Sequence, residues 1–396
     1  MQNLLPYTLF FPLVLEGLGI QFGREITIFL IIFASPIFFV HMLFRKKEII
    51  FPKKAGFLFL LFIICTLIST VFGVSAQKSV QYTLYLISLF LVFLISYNFK
   101  AQLEKPIIIF IFILSFLFIF YSIFLDFHLF NLLIPQKGYQ FVFSKFGSHN
   151  HLGDFLVLPV TICIYYLYTR KRALLAVCYL LPTILFIFFS FSRSAYISVA
   201  ISTLFLHLYF FRKSSSPFKL LSRLVILILL LSAIFYFVTL SPQAKDQPVS
   251  KNTYNFLVQK EGLSKYKDVT GSRFIYLQQA LFSIQKHPLT GIGPNNFIYA
   301  SRSYAKNQYE LTEVAHNIFL EVLVGQGILG LIPFLGLIII SIIKSRKNAL
   351  YFAMIAMLAN FQTDYTYQIY SFLLLFFVIA GVVSTEKEWE LHSFTN

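Results

Sequence analysis

The residues of this chain that are best suited to chemistry lie in one stretch, which runs from Gly271 to Gly336. Arg273 and Arg302 supply positive charge, and His316 and Asn317 stand where a long apolar run begins. A guanidinium binds phosphate oxygens through paired hydrogen bonds, and an imidazole titrates near neutral pH and can accept a proton from a hydroxyl. The stretch therefore predicts proton transfer on an anionic substrate at the edge of a membrane.

Arg193 is a further candidate because it lies in the joint Ser192-Arg193-Ser194, between two apolar spans. An arginine at the end of a span can simply snorkel to the interface. Short outer loops are normally poor in arginine, however, so a conspicuous cation here indicates an anionic ligand. Arg193 and Arg273 facing one site would suit a pyrophosphate, whose oxygens accept planar bidentate contacts.

The segment from Gly147 to Asp154 contains a His-x-His pattern with a nearby Asp. Two histidines and a carboxylate of uncertain direction do not define a metal site, so we predict a polar helix cap or a substrate contact there. We expect neither a metal nor a cofactor. The predicted set is one catalytic residue, His316, and five substrate-binding residues, Arg193, Arg273, Asn317, Arg302 and Asn150.

His316 also has a simpler interpretation, as an interfacial histidine that caps a helix. Its position at an outer helix N-terminus, where free N–H groups and the helix dipole favour anions, supports a role in binding or catalysis instead. Glu313 lies one turn earlier and Asn317 follows directly.

The composition indicates the environment of these residues. The chain has 396 residues, of which 58% are hydrophobic and 12% are charged, whereas soluble domains carry about 25% charged residues. The apolar residues form blocks of about 20, the length that crosses a bilayer as a helix. We therefore predict an all-α polytopic integral membrane protein with about twelve transmembrane helices in a single domain, 1–396. The predicted spans are 4–20, 25–44, 55–73, 79–97, 106–125, 152–169, 173–190, 194–211, 220–240, 317–343, 349–364 and 366–384.

The distribution of Lys and Arg predicts the orientation. The net charge is +16, which in a soluble protein would suggest nucleic acid. Here the basic residues concentrate in alternate loops, so no nucleic-acid partner is expected and these loops are cytoplasmic by the positive-inside rule. They are 45–54, 100–105, 170–172, 212–223 and 344–347. Both termini are then cytoplasmic, and the long segment 241–315, between the ninth and tenth spans, lies outside.

The second half of this outer segment predicts an amphipathic helix that Pro288 ends, because apolar residues recur there at helical spacing. They are Phe274, Leu277, Ala280, Leu281 and Ile284. The pattern from Gly325 to Gly330 matches a dinucleotide fingerprint, but it lies inside an apolar run without a preceding strand. The long tenth span either bends at Gly325, Gly327 and Pro333 or has its first turns above the bilayer.

Several of these motifs together resemble the O-antigen ligase and polymerase family. The resemblance rests on Arg273, on Pro288 to Pro294 (PLTGIGP), on His316 to Glu321 (HNIFLE), on Gly327 to Leu331 (GILGL) and on the joint at Arg193. The span-opening Asn150-His151-Leu152 and the long outer loop agree more loosely.

The resemblance implies an inverting, metal-independent glycosyltransferase at the periplasmic face of a bacterial inner membrane. Its donor would be a glycan on undecaprenyl pyrophosphate, and in a ligase its acceptor would be a sugar hydroxyl of the lipid A core, as in lipopolysaccharide biosynthesis. By residue match, His316 would take the essential histidine role, and Arg193 and Arg273 the pyrophosphate-binding roles.

Two alternatives remain open. A surface-polysaccharide polymerase would instead join lipid-linked repeat units by the same chemistry. A transporter or flippase of the lipid-linked glycan would show paired repeats and polar residues near the membrane midplane, whereas the polar residues here gather at the outer edge.

Overall fold

The long apolar segments form helices, because a helix satisfies its own backbone hydrogen bonds inside an apolar layer. The computed structural model describes residues 23–44, 49–121, 149–170, 172–190, 192–213, 271–306, 310–386 and 388–389. The helices within these residues are α1 (Gly23–Phe44), α2 (Lys53–Val71), α3 (Ala76–Asn98), α4 (Lys100–Tyr121), α5 (His149–Thr169), α6 (Ala173–Ser190), α7 (Arg193–Lys213), α8 (Gly271–Lys286), α9 (Phe297–Tyr304), α10 (Ile318–Ile343), α11 (Ala349–Asn360) and α12 (Tyr370–Val383). A 3-10 turn, Thr366–Gln368, and two short antiparallel strands, β1 (Phe51–Pro52) and β2 (Glu388–Trp389), complete the described elements.

Ten of the predicted spans coincide with described helices, namely α1 to α7 and α10 to α12. Six of these, α2 to α5, α7 and α10, are long and apolar enough to cross a membrane, and the apolar stretches of the other four, α1, α6, α11 and α12, are shorter. The predicted helical membrane protein is therefore confirmed. The first and ninth predicted spans, 4–20 and 220–240, lie outside the described residues, so the total of twelve spans stays a prediction.

The described residues group into two compact units, one formed by 1–111 and 273–396 and the other by 112–272. In the first unit α2 packs on α10 and α3 packs on α12. Aromatic rings fill the space between these helices: Phe59 contacts Phe90, Phe93 and Phe377 with centroids 4.7 to 5.8 Å apart. In the second unit α5 packs against α6 and α7.

Contacts between loops occur at two places in the first unit. At one of them Arg346 pairs with Glu104 at 3.2 Å, and the Glu386 carboxylate accepts the backbone N–H of Ala55 at 2.9 Å. These residues belong to loops, or flank loops, that the positive-inside rule makes cytoplasmic. At the other the backbone N–H of Val74 donates to the carbonyl of Ile292, joining two predicted outer loops.

The tenth predicted span bends at Gly327, where φ is 63° and ψ is −166°, within α10. The loop that follows α8 occupies the break: Ile328 N donates to Pro288 O at 2.9 Å, and Ile292 N donates to Val324 O at 3.0 Å. A Cβ at Gly327 would overlap the carbonyl of Leu289, so only glycine fits this approach. Backbone groups freed by the break are thus bonded, as an apolar layer requires.

Candidate active site

Helix α10 begins with a side-chain cap. The Asn317 side-chain oxygen accepts hydrogen bonds from the backbone N–H groups of Phe319 at 3.0 Å and Leu320 at 3.1 Å. Its amide donates to the Gln362 carbonyl at 3.3 Å. Asparagine is among the preferred N-cap residues because it satisfies these free N–H groups. The interpretation of His316 as the helix cap is therefore wrong, since Asn317 occupies that position and leaves the imidazole available.

The imidazole of His316 faces a buried carboxylate. His316 Nδ1 lies 3.9 Å from Asp364 Oδ1, and the two side chains are 19% and 3% exposed. Asp364 Oδ1 also accepts the backbone N–H of Tyr365 at 2.7 Å, which fixes the carboxylate in the turn after α11. His316 Nδ1 is buried and has no hydrogen-bond partner among the described residues. The nitrogen and the carboxylate need only a small approach to form a hydrogen bond, and such bonds often tighten when substrate binds.

Two tyrosine rings enclose the same imidazole. Tyr276 of α8 lies parallel to it, with ring centroids 5.1 Å apart and an interplanar angle of 14°. Tyr365 meets it edge-on, with centroids 5.1 Å apart and an angle of 85°. Helix α8 and the turn after α11 therefore hold the ring from two directions.

This enclosure sets the charge state of the imidazole. Burial lowers the pKa of His316 to about 4, from its ordinary value near 6.5. The negative charge of Asp364 raises this pKa and the positive charge of Arg273 lowers it, both less strongly than burial lowers it. His316 is neutral at pH 7, which is the state that can accept a proton.

Two of the predicted arginines lie in helices α8 and α9 of the first unit. Arg273 is exposed in the first turn of α8, one turn before Tyr276, so the two residues share a helix face. Arg273 lies near enough for its charge to lower the pKa of His316, and Asn317 directly follows His316 in the chain. Arg302 is exposed in the last turn of α9, and no hydrogen bond or ion pair within the described residues connects it to the other three.

Arg193 belongs to the second unit, where its joint is held by a buried carboxylate. Asp154 Oδ1 accepts hydrogen bonds from Ser192 Oγ and Ser194 Oγ, both at 2.6 Å. Ser192 Oγ also accepts the N–H of Ala195 at 3.2 Å and so caps α7. Both serines are buried, whereas Arg193 between them is exposed. The hydrogen bonds thus direct the serines inward and the guanidinium outward.

The segment around Asn150 begins α5, but the Asn150 side chain lies outside the described residues. Gly153 packs on the joint at Arg193, where a Cβ would overlap Ser190 and stand 3.0 Å from Ser192 Cβ. No group of three His, Cys, Asp or Glu side chains within the described parts of the chain could hold a metal ion. The substrate-binding role of Asn150 stays a prediction.

The sequence alone does not identify the partners of His316, because Asp364 is one of several polar residues within apolar spans and Tyr276 is one of 23 tyrosines. The signal that could have found Asp364 is its place between two apolar helices on the side that the charge pattern makes outer. A carboxylate there can reach a histidine in another outer loop.

Together these features define a polytopic helical membrane protein with a histidine–carboxylate pair and a cation at the end of a helix. A family model described as O-antigen ligase matches residues 178–335. This match covers Arg193, Arg273, Arg302, His316 and Asn317, and it confirms the resemblance to that family. It supports a membrane enzyme of the glycosyltransferase type. No curated protein matches the chain.

Proposed function

We propose that the protein transfers a glycan from undecaprenyl pyrophosphate to an acceptor hydroxyl, with the lipid A core oligosaccharide as the acceptor. The observation that carries this proposal is the neutral His316 between Tyr276 and Asp364, within reach of the charge of Arg273. This arrangement lies largely inside the residues that match the O-antigen ligase family.

In the proposed reaction the acceptor oxygen attacks the anomeric carbon of the donor sugar. A new C–O glycosidic bond forms while the bond from that carbon to the pyrophosphate oxygen breaks, and the configuration inverts. The acceptor proton passes to His316, and the pyrophosphate leaves with the bonding electron pair. Asp364 stabilises the imidazolium that results, because a neighbouring carboxylate favours the charged form.

Arg273 would bind the pyrophosphate, since a guanidinium offers the planar, bidentate contact that phosphate oxygens accept. For Arg193 the resemblance to the family implies the same role. The charge of the leaving group is then neutralised by protein side chains, which is why we propose a metal-independent reaction. Donor binding would also change His316. A bound anion beside Arg273 cancels the charge that lowers the pKa of His316, so the base becomes stronger once the donor is present.

The distribution of Lys and Arg among the loops supports a reaction on the periplasmic side of the membrane. With the basic loops in the cytoplasm, the end of the first unit that carries His316 lies on the outer, periplasmic side of the inner membrane, and both termini are cytoplasmic. The whole of 1–396 would form one transmembrane domain, with 241–315 as a periplasmic insertion that contains α8.

The test is transfer by the purified full chain in detergent, with a defined undecaprenyl-pyrophosphate glycan and lipid A core as substrates. We expect the core to acquire the glycan, His316→Ala to lose this activity and His287→Ala to keep it, because His287 is exposed in the loop after α8. Extension of one lipid-linked glycan by another would instead indicate a polymerase. If no new glycosidic bond forms with any acceptor, the enzyme proposal fails.

A further inference from the structure

The backbone of His316 has a conformation that side chains rarely adopt. Its φ is 54°, in the left-handed region that is uncommon for residues other than glycine. A residue stays in such a conformation only when its surroundings fix it, and such positions concentrate at functional sites. The groups that fix the peptide bonds on either side of His316 therefore decide where its imidazole points.

On the N-terminal side the fixing group is Glu321. This residue lies in the first turn of α10 and is only 6% exposed. Its Oε2 accepts the backbone N–H of Ala315, the residue before His316, at 2.7 Å. The Glu321 side chain of α10 thus binds the loop that precedes this helix.

Tyr367 supports Glu321 in this position. Its hydroxyl donates to the same Glu321 oxygen at 3.1 Å. Tyr367 therefore helps to hold the carboxylate that binds the peptide group before His316.

The same two residues connect His316 to the segment that carries Asp364. Tyr367 lies three residues after Asp364, in the 3-10 turn that precedes α12. The backbone N–H of Ile318 donates to the carbonyl of Phe361 at 3.0 Å, which adds a second link between the segments. These contacts, together with the hydrogen bond that Asp364 accepts from Tyr365, hold the two segments that carry His316 and Asp364.

We propose that Glu321 and Tyr367 are positioning residues, which hold His316 in its left-handed conformation and aim its imidazole between Tyr276 and Asp364. The role of the histidine as the base rests on the proposed function, but the positioning does not. Neither Glu321 nor Tyr367 takes part in proton transfer. Without them, the loop at Ala315 relaxes, the imidazole leaves its enclosure and the geometry for attack is lost.

The test compares Glu321→Leu, Glu321→Gln and Tyr367→Phe in the purified full chain, with Glu313→Leu as the control. Glu313 is an exposed carboxylate in the same loop. The first readout is the rate at which diethyl pyrocarbonate modifies His316, followed by mass spectrometry of its peptide. This reagent attacks accessible neutral imidazoles, so its rate reports the enclosure and is independent of catalysis.

We expect Glu321→Leu to raise the modification rate severalfold and Tyr367→Phe to raise it less. Glu321→Gln and Glu313→Leu should leave the rate near that of the chain without substitutions. Glutamine keeps an oxygen that accepts both hydrogen bonds, so rescue by glutamine separates acceptance of hydrogen bonds from the charge. If neither the Leu nor the Phe variant changes the modification rate, the positioning proposal is wrong. Should Glu321→Leu not fold, Tyr367→Phe, which loses a single hydroxyl, decides alone.

The second readout is turnover against pH. A misplaced base costs on the order of 10²-fold in rate, so Glu321→Leu should lose about that much while donor affinity stays the same. The groups that face His316 are Asp364, Tyr365, Tyr276 and Arg273, and all remain in these variants. Release into water should therefore move the acid limb of the rate profile from near pH 4 toward pH 6.5.

Lost turnover with an unmoved limb would indicate a merely structural role. Faster modification of His316, combined with full activity of His316→Ala, would refute the proposed function and leave the positioning intact.

Discussion

His316 and Tyr276 stack with their ring planes 14° apart, although 40 positions separate them in the chain. Tyr276 belongs to α8, the helix that also carries Arg273 one turn earlier. Helix α8 therefore supplies both the ring that shields the imidazole from water and a cation that acts on its pKa. This relationship makes α8 part of the site, whereas its sequence pattern indicates only an amphipathic surface helix.

The stacking of Tyr276 on His316 predicts how turnover depends on pH in a variant that lacks the tyrosine ring. Tyr276→Ala exposes the imidazole, and because burial is what lowers the pKa of His316 to about 4, this pKa should rise toward 6.5. The neutral base is then lost at a higher pH, so the acid limb of the activity profile should move upward by as much as about two pH units. Tyr276→Phe keeps the ring and should leave the limb in place. The measurement is turnover of both variants from pH 4 to 8, and an unmoved limb in the Ala variant would refute the role of burial.

Asp364→Asn should shift the same limb in the opposite direction. The carboxylate charge raises the pKa of His316, so its removal lowers this pKa further while also removing the charge that stabilises the imidazolium. In a serine protease triad the corresponding change costs ~10⁴-fold in rate, and here we expect ~10²–10⁴-fold. Turnover and donor binding should be measured on the same preparation. An active Asp364→Asn variant would show that the carboxylate 3.9 Å away does not assist the histidine.

The sequence alone predicts the helices well and the contacts of the site poorly, for a physical reason. An apolar block of about 20 residues has to form a helix in a bilayer, so ten described helices lie where the pattern predicts them. The meeting of His316 with Asp364 depends instead on how α10, α11 and the turn after α11 pack. No local rule relates residues 48 positions apart, and a carboxylate near a span end is equally consistent with a simple helix cap.

The break at Gly327 illustrates an intermediate case. Glycines at 325 and 327 and Pro333 indicate a bend, and the structure places non-helical backbone at Gly327 alone. Proline can remain inside a membrane helix when its neighbours satisfy the freed carbonyl. Gly327 differs because the loop after α8 enters the break, and this loop lies about 35 residues earlier in the chain. Only the folded structure shows which of the candidate positions it occupies.

Substitutions of Arg193 and Arg273 can separate the effect of positive charge on donor binding from the effect of the planar guanidinium. A substitution of Asp154 tests the joint that carries Arg193. Arg193→Lys and Arg273→Lys keep the charge but lose the planar fork, so donor affinity should fall, and more so in the Ala variants.

Asp154→Ala releases the serines that flank Arg193 and should weaken donor binding in the same way. Because Asp154 would act through Arg193, the double variant Asp154→Ala with Arg193→Ala should bind no more weakly than Arg193→Ala. Additive losses would assign Asp154 to general stability. Arg212→Ala, at the exposed far end of α7, is the control.

The orientation can be tested with two exposed lysines at opposite ends of the first unit. Lys105 lies near the start of α4 in a predicted cytoplasmic loop, and Lys286 ends α8 in the predicted outer segment. Single cysteines at these positions, in a chain whose own cysteines are replaced by serine or alanine, should differ in labelling by an impermeant thiol reagent in intact cells. We expect labelling at 286 and protection at 105. The reverse pattern would place the histidine on the cytoplasmic side and exclude a periplasmic acceptor.

The most direct test of the mechanism is His316→Asn, because the left-handed backbone makes asparagine a closely matched replacement. Asparagine tolerates the positive φ of 54° at this position better than most residues, so the loop and the cap at Asn317 should keep their geometry. The amide can form hydrogen bonds but cannot accept a proton at neutral pH. Loss of a general base typically costs ~10²–10⁴-fold in rate, so His316→Asn should fold, insert and bind donor while losing that much turnover.

His316→Gln should behave similarly, and His316→Ala should be no more active than either. Turnover of the three variants at matched expression, with donor binding on the same samples, is the measurement. Near-normal turnover of the Asn or Gln variant would show that position, and not proton transfer, is what His316 provides, and catalysis would then rest on the arginines and on substrate orientation.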